Sequence, residues 1–119
     1  MKLSTQLSDN IFKISIDGDV DANSSIALDK EIKLAIDSGH YKLLINCADL
    51  KYISSAGLGV FISYIDELNQ NNGHFSFCQM RENVFEVFKL LGLHNLVHIS
   101  ETENASIAYL SQSLNTTNA

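Results

Sequence analysis

The chain of 119 residues contains no proline and no tryptophan, and only eight of its residues are lysine or arginine. Because these basic residues are scattered and the formal net charge is -6, direct binding to a nucleic-acid backbone is not expected. Two cysteines, Cys47 and Cys78, lack the CxxC spacing of metal and redox motifs. Each ends an apolar stretch, which favours buried thiols over a redox pair.

Long hydrophobic runs are also missing. No apolar run approaches the roughly 20 residues that cross a membrane, and residues 1–6 lack a hydrophobic signal segment. We therefore expect a cytoplasmic protein without membrane insertion. Apolar residues make up 45% of the chain, enough for the core of one domain. The expected domain covers residues 1–114, and the polar residues 115–119 form a tail.

Hydrophobic periodicity predicts alternating strands and helices. The predicted strands are residues 3–7, 11–16, 41–47, 74–78 and 97–99, and the predicted helices are residues 24–37, a segment ending near 71, 82–91 and 104–114. This alternation indicates an α/β sandwich, in which about four helices cover a mixed β-sheet of four to five strands.

Each predicted helix has apolar residues on one face, which we expect to lie in the core. They are Leu28, Ile32, Ala35 and Ile36 in the first helix, Leu58, Phe61, Ile62, Ile65 and Leu68 in the second, Val84, Val87, Phe88 and Leu91 in the third, and Ile107, Ala108 and Leu114 in the last.

The most informative stretch is residues 49–61, with the sequence DLKYISSAGLGVF. It joins a predicted strand to a helix, so Ser54 and Ser55 lie where the first helical N–H groups have no internal partner. The helix dipole also favours an anion there. A serine hydroxyl at this point can cap the helix or carry a phosphate.

The second helix carries a further stripe, Gly57, Val60 and Tyr64, beside its core face. Either this helix packs on two sides, or the stripe is a patch that contacts a partner. Gly57 and Gly59 each cost roughly 1 kcal/mol of helix stability relative to alanine. That cost indicates a close approach of backbone or partner, or tight packing on the sheet.

Residues 54–59 resemble the signature of the STAS family, the bacterial anti-sigma factor antagonists. In that pattern, Asp-Ser-Ser/Thr-Gly-Leu-Gly precedes a helix and the first serine is phosphorylated. Aligned on the Gly-Leu-Gly segment, the phosphorylated serine falls on Ser55 and the aspartate on Ser54. Residues 18–21, Gly-Asp-Val-Asp, resemble the family's Gly-Glu-Leu-Asp turn. The resemblance makes Asp21 a candidate kinase contact and Ser24 the cap of the first helix, with Asn23 as its rival.

The resemblance implies a switch without a cofactor or a metal. The domain would bind an anti-sigma factor of the histidine-kinase-like ATPase class and thereby release a sigma factor. That partner would phosphorylate Ser55, and a serine phosphatase would reverse the reaction. A homodimer stays an open alternative. The candidate partner-binding residues are Asp21, Ser54, Ser55, Gly57, Val60 and Tyr64.

Two other roles stay open. STAS domains also serve as subunits of lipid-transport ABC systems and as scaffolds of signalling assemblies, and Ser54 in place of an acidic residue keeps such a role in view. A small hydrolase using Ser55 is a remote third class, because no histidine lies near Ser55 in the sequence to act as its base. Asp49 could pair with Ser55 in space, although an aspartate in a turn is the commoner case. The four histidines lack metal-ligand spacing, so we expect no enzyme.

Overall fold

The computed structural model describes residues 1–115, with side chains given as far as residue 112. In this part of the chain, five strands form one sheet in the order β1-β2-β3-β4-β5. They are β1 (Lys2–Ser8), β2 (Ile11–Val20), β3 (Lys42–Ile53), β4 (His74–Cys78) and β5 (His98–Ser100). β1 pairs antiparallel with β2, and the other neighbours are parallel. The predicted mixed sheet is confirmed.

Four α-helices cover this sheet, as the sequence predicts. They are α1 (Ser24–Asp37), α2 (Ser55–Gln70), α3 (Glu82–Leu90) and α4 (Glu103–Asn115), with a short 3-10 turn at Leu93–Asn95. The predicted tail, residues 115–119, lies outside the described residues except for Asn115. Over the described range, no helix is both long and apolar enough to cross a lipid bilayer.

The sheet buries both of its faces, and the alternation of side chains along β3 shows how. Leu43 and Ile45 belong to the main core cluster, which packs against α1, α2 and α3. Leu44 points the other way and joins Ile11, Cys78 and Leu110 in a smaller cluster beneath α4. The helices therefore lie three on one face and one on the other.

The two cysteines belong to these different clusters. Cys47 lies in the main cluster and Cys78 under α4, and both thiols are free and buried. Burial raises the pKa of the Cys47 thiol above its usual range and the pKa of Cys78 to about 11. The prediction of buried thiols is confirmed.

β3 is longer than predicted. The sequence indicates a strand ending at residue 47, but β3 continues to Ile53. The register with β2 shifts twice, once between Ser15 and Asp17 and once between Gly18 and Asp19. Each shift inserts one extra residue into β3, which is a β-bulge. The bulges break the alternation of apolar and polar side chains, so the second half of the strand resembles a loop in the sequence.

Four predicted core positions are wrong. Ile62, Leu91 and Ile107 are 42%, 52% and 38% exposed, and Ala108 is also exposed. Leu91 leaves the core because α3 ends at Leu90; the chain turns at Gly92 and buries Leu93 instead. α4 faces the sheet through Ser106 and Leu110. The predicted core position Leu114 lies outside the described side chains.

Ser106 is buried on the sheet, and hydrogen bonds explain why this position is not apolar. Its hydroxyl lies 2.7 Å from the Ser76 hydroxyl and 2.6 Å from that of Ser100. The Ser76 hydroxyl also lies 2.8 Å from Nδ1 of His98, whose ring stacks on Tyr109. Because this contact uses polar groups, the apolar pattern of the sequence points to the wrong side of α4.

Candidate functional site

The candidate site is the junction between β3 and α2, at the C-terminal ends of the parallel strands. A single residue, Ser54, separates Ile53 from the first residue of the helix. Its backbone N–H donates to the carbonyl of Val20, the last residue of β2, at 2.8 Å. The ends of the two central strands therefore fix the position at which α2 begins.

The two serines at the junction have different roles. Ser54 has extended backbone angles, and its hydroxyl accepts a hydrogen bond from the N–H of Gly57 at 3.2 Å, so it is the N-cap of α2. Ser55 is the first helical residue and is exposed. Within residues 1–115, the Ser55 hydroxyl has no hydrogen-bond partner. Ser55 therefore presents an uncommitted hydroxyl at the positive end of the helix.

The two glycines of the signature also differ. Gly57 is buried, and a Cβ built on it would lie 2.8 Å from Cγ1 of Ile53 and 2.8 Å from Cγ1 of Val20. It lets the helix start approach the sheet closely, and its role as a partner contact stays a prediction. Gly59 is exposed, and nothing lies within 4 Å of where its Cβ would be. Packing within this chain leaves Gly59 unexplained.

Asp21 follows β2 and closes the start of α1. Its carboxylate accepts the Ser24 N–H at 2.8 Å, and its own N–H donates to the Ser24 hydroxyl at 2.9 Å. This is a reciprocal capping box with Asp21 as the cap, so the predicted cap, Ser24, takes the other half of the box. Asn23 makes no side-chain capping bond. The bonds from Ser24 lower the pKa of Asp21.

The second stripe of α2 packs against α1. The Tyr64 hydroxyl donates to the Asp29 carboxylate of α1 at 2.8 Å, and Val60 and Tyr64 both contact the main core cluster. Burial, and then the bond to Asp29, raise the pKa of Tyr64 above its usual range. Of the two alternatives for this stripe, the geometry favours a helix that packs on two sides. Val60 and Tyr64 are both half-buried, and their roles as partner contacts stay a prediction.

The exposed face of α2 is a different stripe. Ser55, Gly59 and Ile62 follow one another at helical spacing, and all three are exposed. We call these three residues the Ser55 stripe. The sequence contains this spacing, but the apolar Ile62 fits the core face equally well. Sequence reasoning therefore missed Gly59 and Ile62 as surface residues beside the serine.

The structure places the possible catalytic partners away from Ser55. His40 precedes β3, His74 begins β4, and His94 and His98 lie just before and at the start of β5. All four histidines are therefore near the N-terminal ends of the parallel strands, whereas Ser55 lies at their C-terminal ends. Asp49 lies within β3, opposite Asp17, so its suggested pairing with Ser55 is wrong. The described residues contain no group of three or more metal-ligating side chains.

Comparison with known families gives a match to one of them. A family model described as the STAS domain matches residues 2–106. Among curated proteins, the anti-sigma-B factor antagonist of Staphylococcus epidermidis is 25% identical over 101 residues, which are 85% of this chain and 94% of that protein.

Solved structures share the fold. An anti-sigma factor antagonist from Mycobacterium paratuberculosis superposes with a TM-score of 0.84 at 18% identity, covering 92% of this chain and 93% of its own. The Bacillus cell fate determinant SpoIIAA, solved in its phosphorylated form, gives a TM-score of 0.71 at 20% identity. That match covers 91% of this chain and 98% of SpoIIAA.

Proposed function

The chain belongs to the STAS domain family, and we propose that within this family it is an anti-sigma factor antagonist switched by phosphorylation of Ser55. In the unmodified state it binds an anti-sigma factor and frees a sigma factor. The partner is a serine kinase of the histidine-kinase-like ATPase class, and a serine phosphatase restores the active form. The exchange takes place in the cytoplasm and regulates transcription without contact between this chain and nucleic acid.

The observation that carries the proposal is the contrast between the two serines. Ser54 uses its hydroxyl to cap α2, whereas the exposed Ser55 hydroxyl has no partner among the described residues. A kinase can take the Ser55 proton and transfer the terminal phosphoryl group of ATP to the Ser55 oxygen, with ADP as the leaving group, without breaking a bond that holds the fold. Modification of Ser54 would instead change the oxygen that accepts the Gly57 N–H and caps α2.

The physical chemistry of the site restricts how the switch acts. A phosphate brings about -1.5 to -2 charges at neutral pH. The helix dipole favours this charge at the first turn of α2, so the domain stays folded. The effect falls on the interface, where the phosphate adds bulk and negative charge to an acidic chain with a net charge of -6.

The surface that would meet the partner follows from exposure. It contains the Ser55 stripe, with Ser54 and the exposed Asp21 beside it at the C-terminal ends of β3 and β2. Gly59 adds no side chain, which allows a partner to approach the backbone of α2 next to Ser55. Gly57 is buried beneath this surface, and Val60 and Tyr64 of the neighbouring stripe pack against the main core cluster.

Ser54 stands where the family pattern has an aspartate. Serine and aspartate are about equally good N-caps, so the exchange keeps the cap and removes one charge. The cap geometry therefore gives no reason to prefer a transporter or scaffold role. The loss of charge bears on recognition by the kinase, and a domain that is never phosphorylated would restore the alternative role.

A binding experiment tests the proposal. An anti-sigma factor of the histidine-kinase-like ATPase class from the same host is titrated with wild-type protein and with Ser55→Ala, Ser55→Asn and Ser55→Asp. Asparagine matches aspartate in size, so this pair separates charge from bulk. We expect the alanine variant to bind constitutively when ATP is present and the aspartate variant to bind at least about tenfold more weakly than the asparagine variant. Equal binding of the last two would contradict the switch.

A further inference from the structure

The two edges of the sheet differ in a way that the proposed switch does not explain. Natural sheets protect their edge strands with short length, proline, bulges or charged side chains, because an open edge can pair with another chain. β5 follows this rule: it has three residues, all half-buried. β1 has seven residues, of which only Leu3 is half-buried and the rest are exposed.

β1 has few of these protective features. Its pairing with β2 is regular from Lys2 to Ser8, without a bulge. The chain contains no proline, and Lys2 is the only charged residue of the strand. The other edge of β1 is therefore a straight row of backbone groups in a strand whose centre, Ser4-Thr5-Gln6, is polar and uncharged.

The side chains of β1 also leave apolar surface open. Leu3, Thr5 and Leu7 lie opposite Ile16, Ile14 and Phe12, on the face that the main core occupies. Leu3 packs against that core, but Leu7 is 53% exposed at the free edge. An apolar side chain from a neighbouring strand at this position would cover it.

We propose that β1 pairs antiparallel with β1 of a second copy of this chain, joining two five-stranded sheets into one. A two-fold axis at Thr5 lets all seven residues of both strands pair. On the core face, Leu3 then lies opposite Leu7 of the second copy, and Thr5 lies opposite Thr5. Cross-strand neighbours of this kind are about 5 Å apart, so Leu3 of each copy covers the exposed Leu7 of the other.

Charge favours the same register. Lys2 lies opposite Ser8 of the second copy, and Asp9 follows directly. The two-fold axis brings the basic end of each strand next to the acidic turn of the other, giving two opposite-charge pairs. Among residues 1–115, Lys2 forms no ion pair within its own chain. The sequence of the strand therefore places opposite charges, and the two leucines, against each other across a two-fold axis, as an isologous interface requires.

This interface is separate from the phosphorylation site. β1 lies two strands away from β3, at whose end Ser54 and Ser55 lie. Strand pairing at β1 does not use the Ser55 stripe. Dimerisation and the switch can therefore succeed or fail independently of each other.

Sedimentation equilibrium of the whole chain, up to roughly 1 mM, tests the pairing. We expect a monomer–dimer equilibrium whose dissociation constant rises at least about tenfold in Leu7→Lys, because this change removes covered apolar surface and places a charge opposite Leu3. Leu34→Lys is the matched control, since Leu34 of α1 is 54% exposed and distant from the edge. A monomer at all concentrations, or a dimer that Leu7→Lys does not weaken, would overturn the proposal.

Cysteine cross-linking tests the register. Thr5→Cys places two thiols directly opposite each other, within the Cα separation of a disulfide. Gln6→Cys is the control, because Gln6 faces Ser4 of the second copy and lies on the other face of the sheet. We expect oxidation to yield disulfide-linked dimers of the Thr5 variant in clear excess. Equal yields from both variants would reject the two-fold axis at Thr5.

Discussion

A methyl group at Gly57 tests whether the start of α2 is held against the sheet by close packing. In Gly57→Ala, the new Cβ would lie 2.8 Å from Cγ1 of Val20 and from Cγ1 of Ile53, and 3.2 Å from Cδ1 of Ile53. Carbon atoms pack favourably at about 3.5–4.0 Å, so the two Cγ1 atoms must move by at least about 0.7 Å. Both side chains are fully buried, and both are β-branched and stiff. They cannot turn away into solvent.

The magnitude follows from two opposing effects. Overpacking of this kind costs about 1–3 kcal/mol, and replacing a helical glycine by alanine returns at most about 1 kcal/mol. We therefore expect Gly57→Ala to lower the free energy of unfolding by about 1–2 kcal/mol. Urea titration followed by circular dichroism measures this change, and an unchanged slope shows that the variant still folds cooperatively.

Gly59→Ala is the matched control, because the same methyl group meets no atom within 4 Å. It gains helix propensity without a clash, so we expect it to be up to about 1 kcal/mol more stable than the wild type. The two variants should thus move in opposite directions from the same chemical change. A Gly57→Ala protein as stable as the wild type or more so would refute the packing argument.

Three further predictions concern the cap, the histidines and the thiols. Ser54→Ala should cost about 1 kcal/mol in urea unfolding, whereas Ser54→Asp should keep the cap and most of the stability; equal losses would argue against the capping bond. Burial lowers the pKa values of His74 and His98 in the fold, so the unfolded chain binds protons first, and stability should fall as the pH drops below about 6.5; His98→Gln should flatten this dependence, and an unchanged profile would contradict it. Cys47 and Cys78, being buried with raised pKa values, should not react with a thiol reagent at pH 8 until urea unfolds the chain, and rapid labelling of the folded protein would contradict their burial.

Much of the fold can be predicted from the sequence, because most of its elements follow simple periodicity. The strand at residues 11–16 and the first helix show regular patterns, and the structure confirms both, although β2 continues to Val20 through residues predicted as a turn. The end of β3 could not be predicted in this way, since two bulges break its alternation. The inward face of α4 could not be predicted either, because its contact with the sheet uses the hydroxyl of Ser106.

The candidate site could be predicted only in part, because its local features follow from the sequence and its long-range contacts do not. The sequence places Ser54 and Ser55 at the start of α2, and the structure separates a capping serine from an exposed one. Spacing alone could not show which side of α2 faces α1, since both stripes contain a glycine and an apolar residue. The bond between Tyr64 and Asp29 decides the matter, and it joins residues 35 positions apart.

Mapping of phosphate by mass spectrometry tests the central claim most directly. The protein is recovered from its own host and, in parallel, incubated with host extract and ATP, with an active kinase as the positive control. The switch predicts a single phosphate on Ser55. Phosphate on Ser54 instead would contradict the assignment of the capping and exposed serines, and no phosphate in either sample would contradict the switch itself.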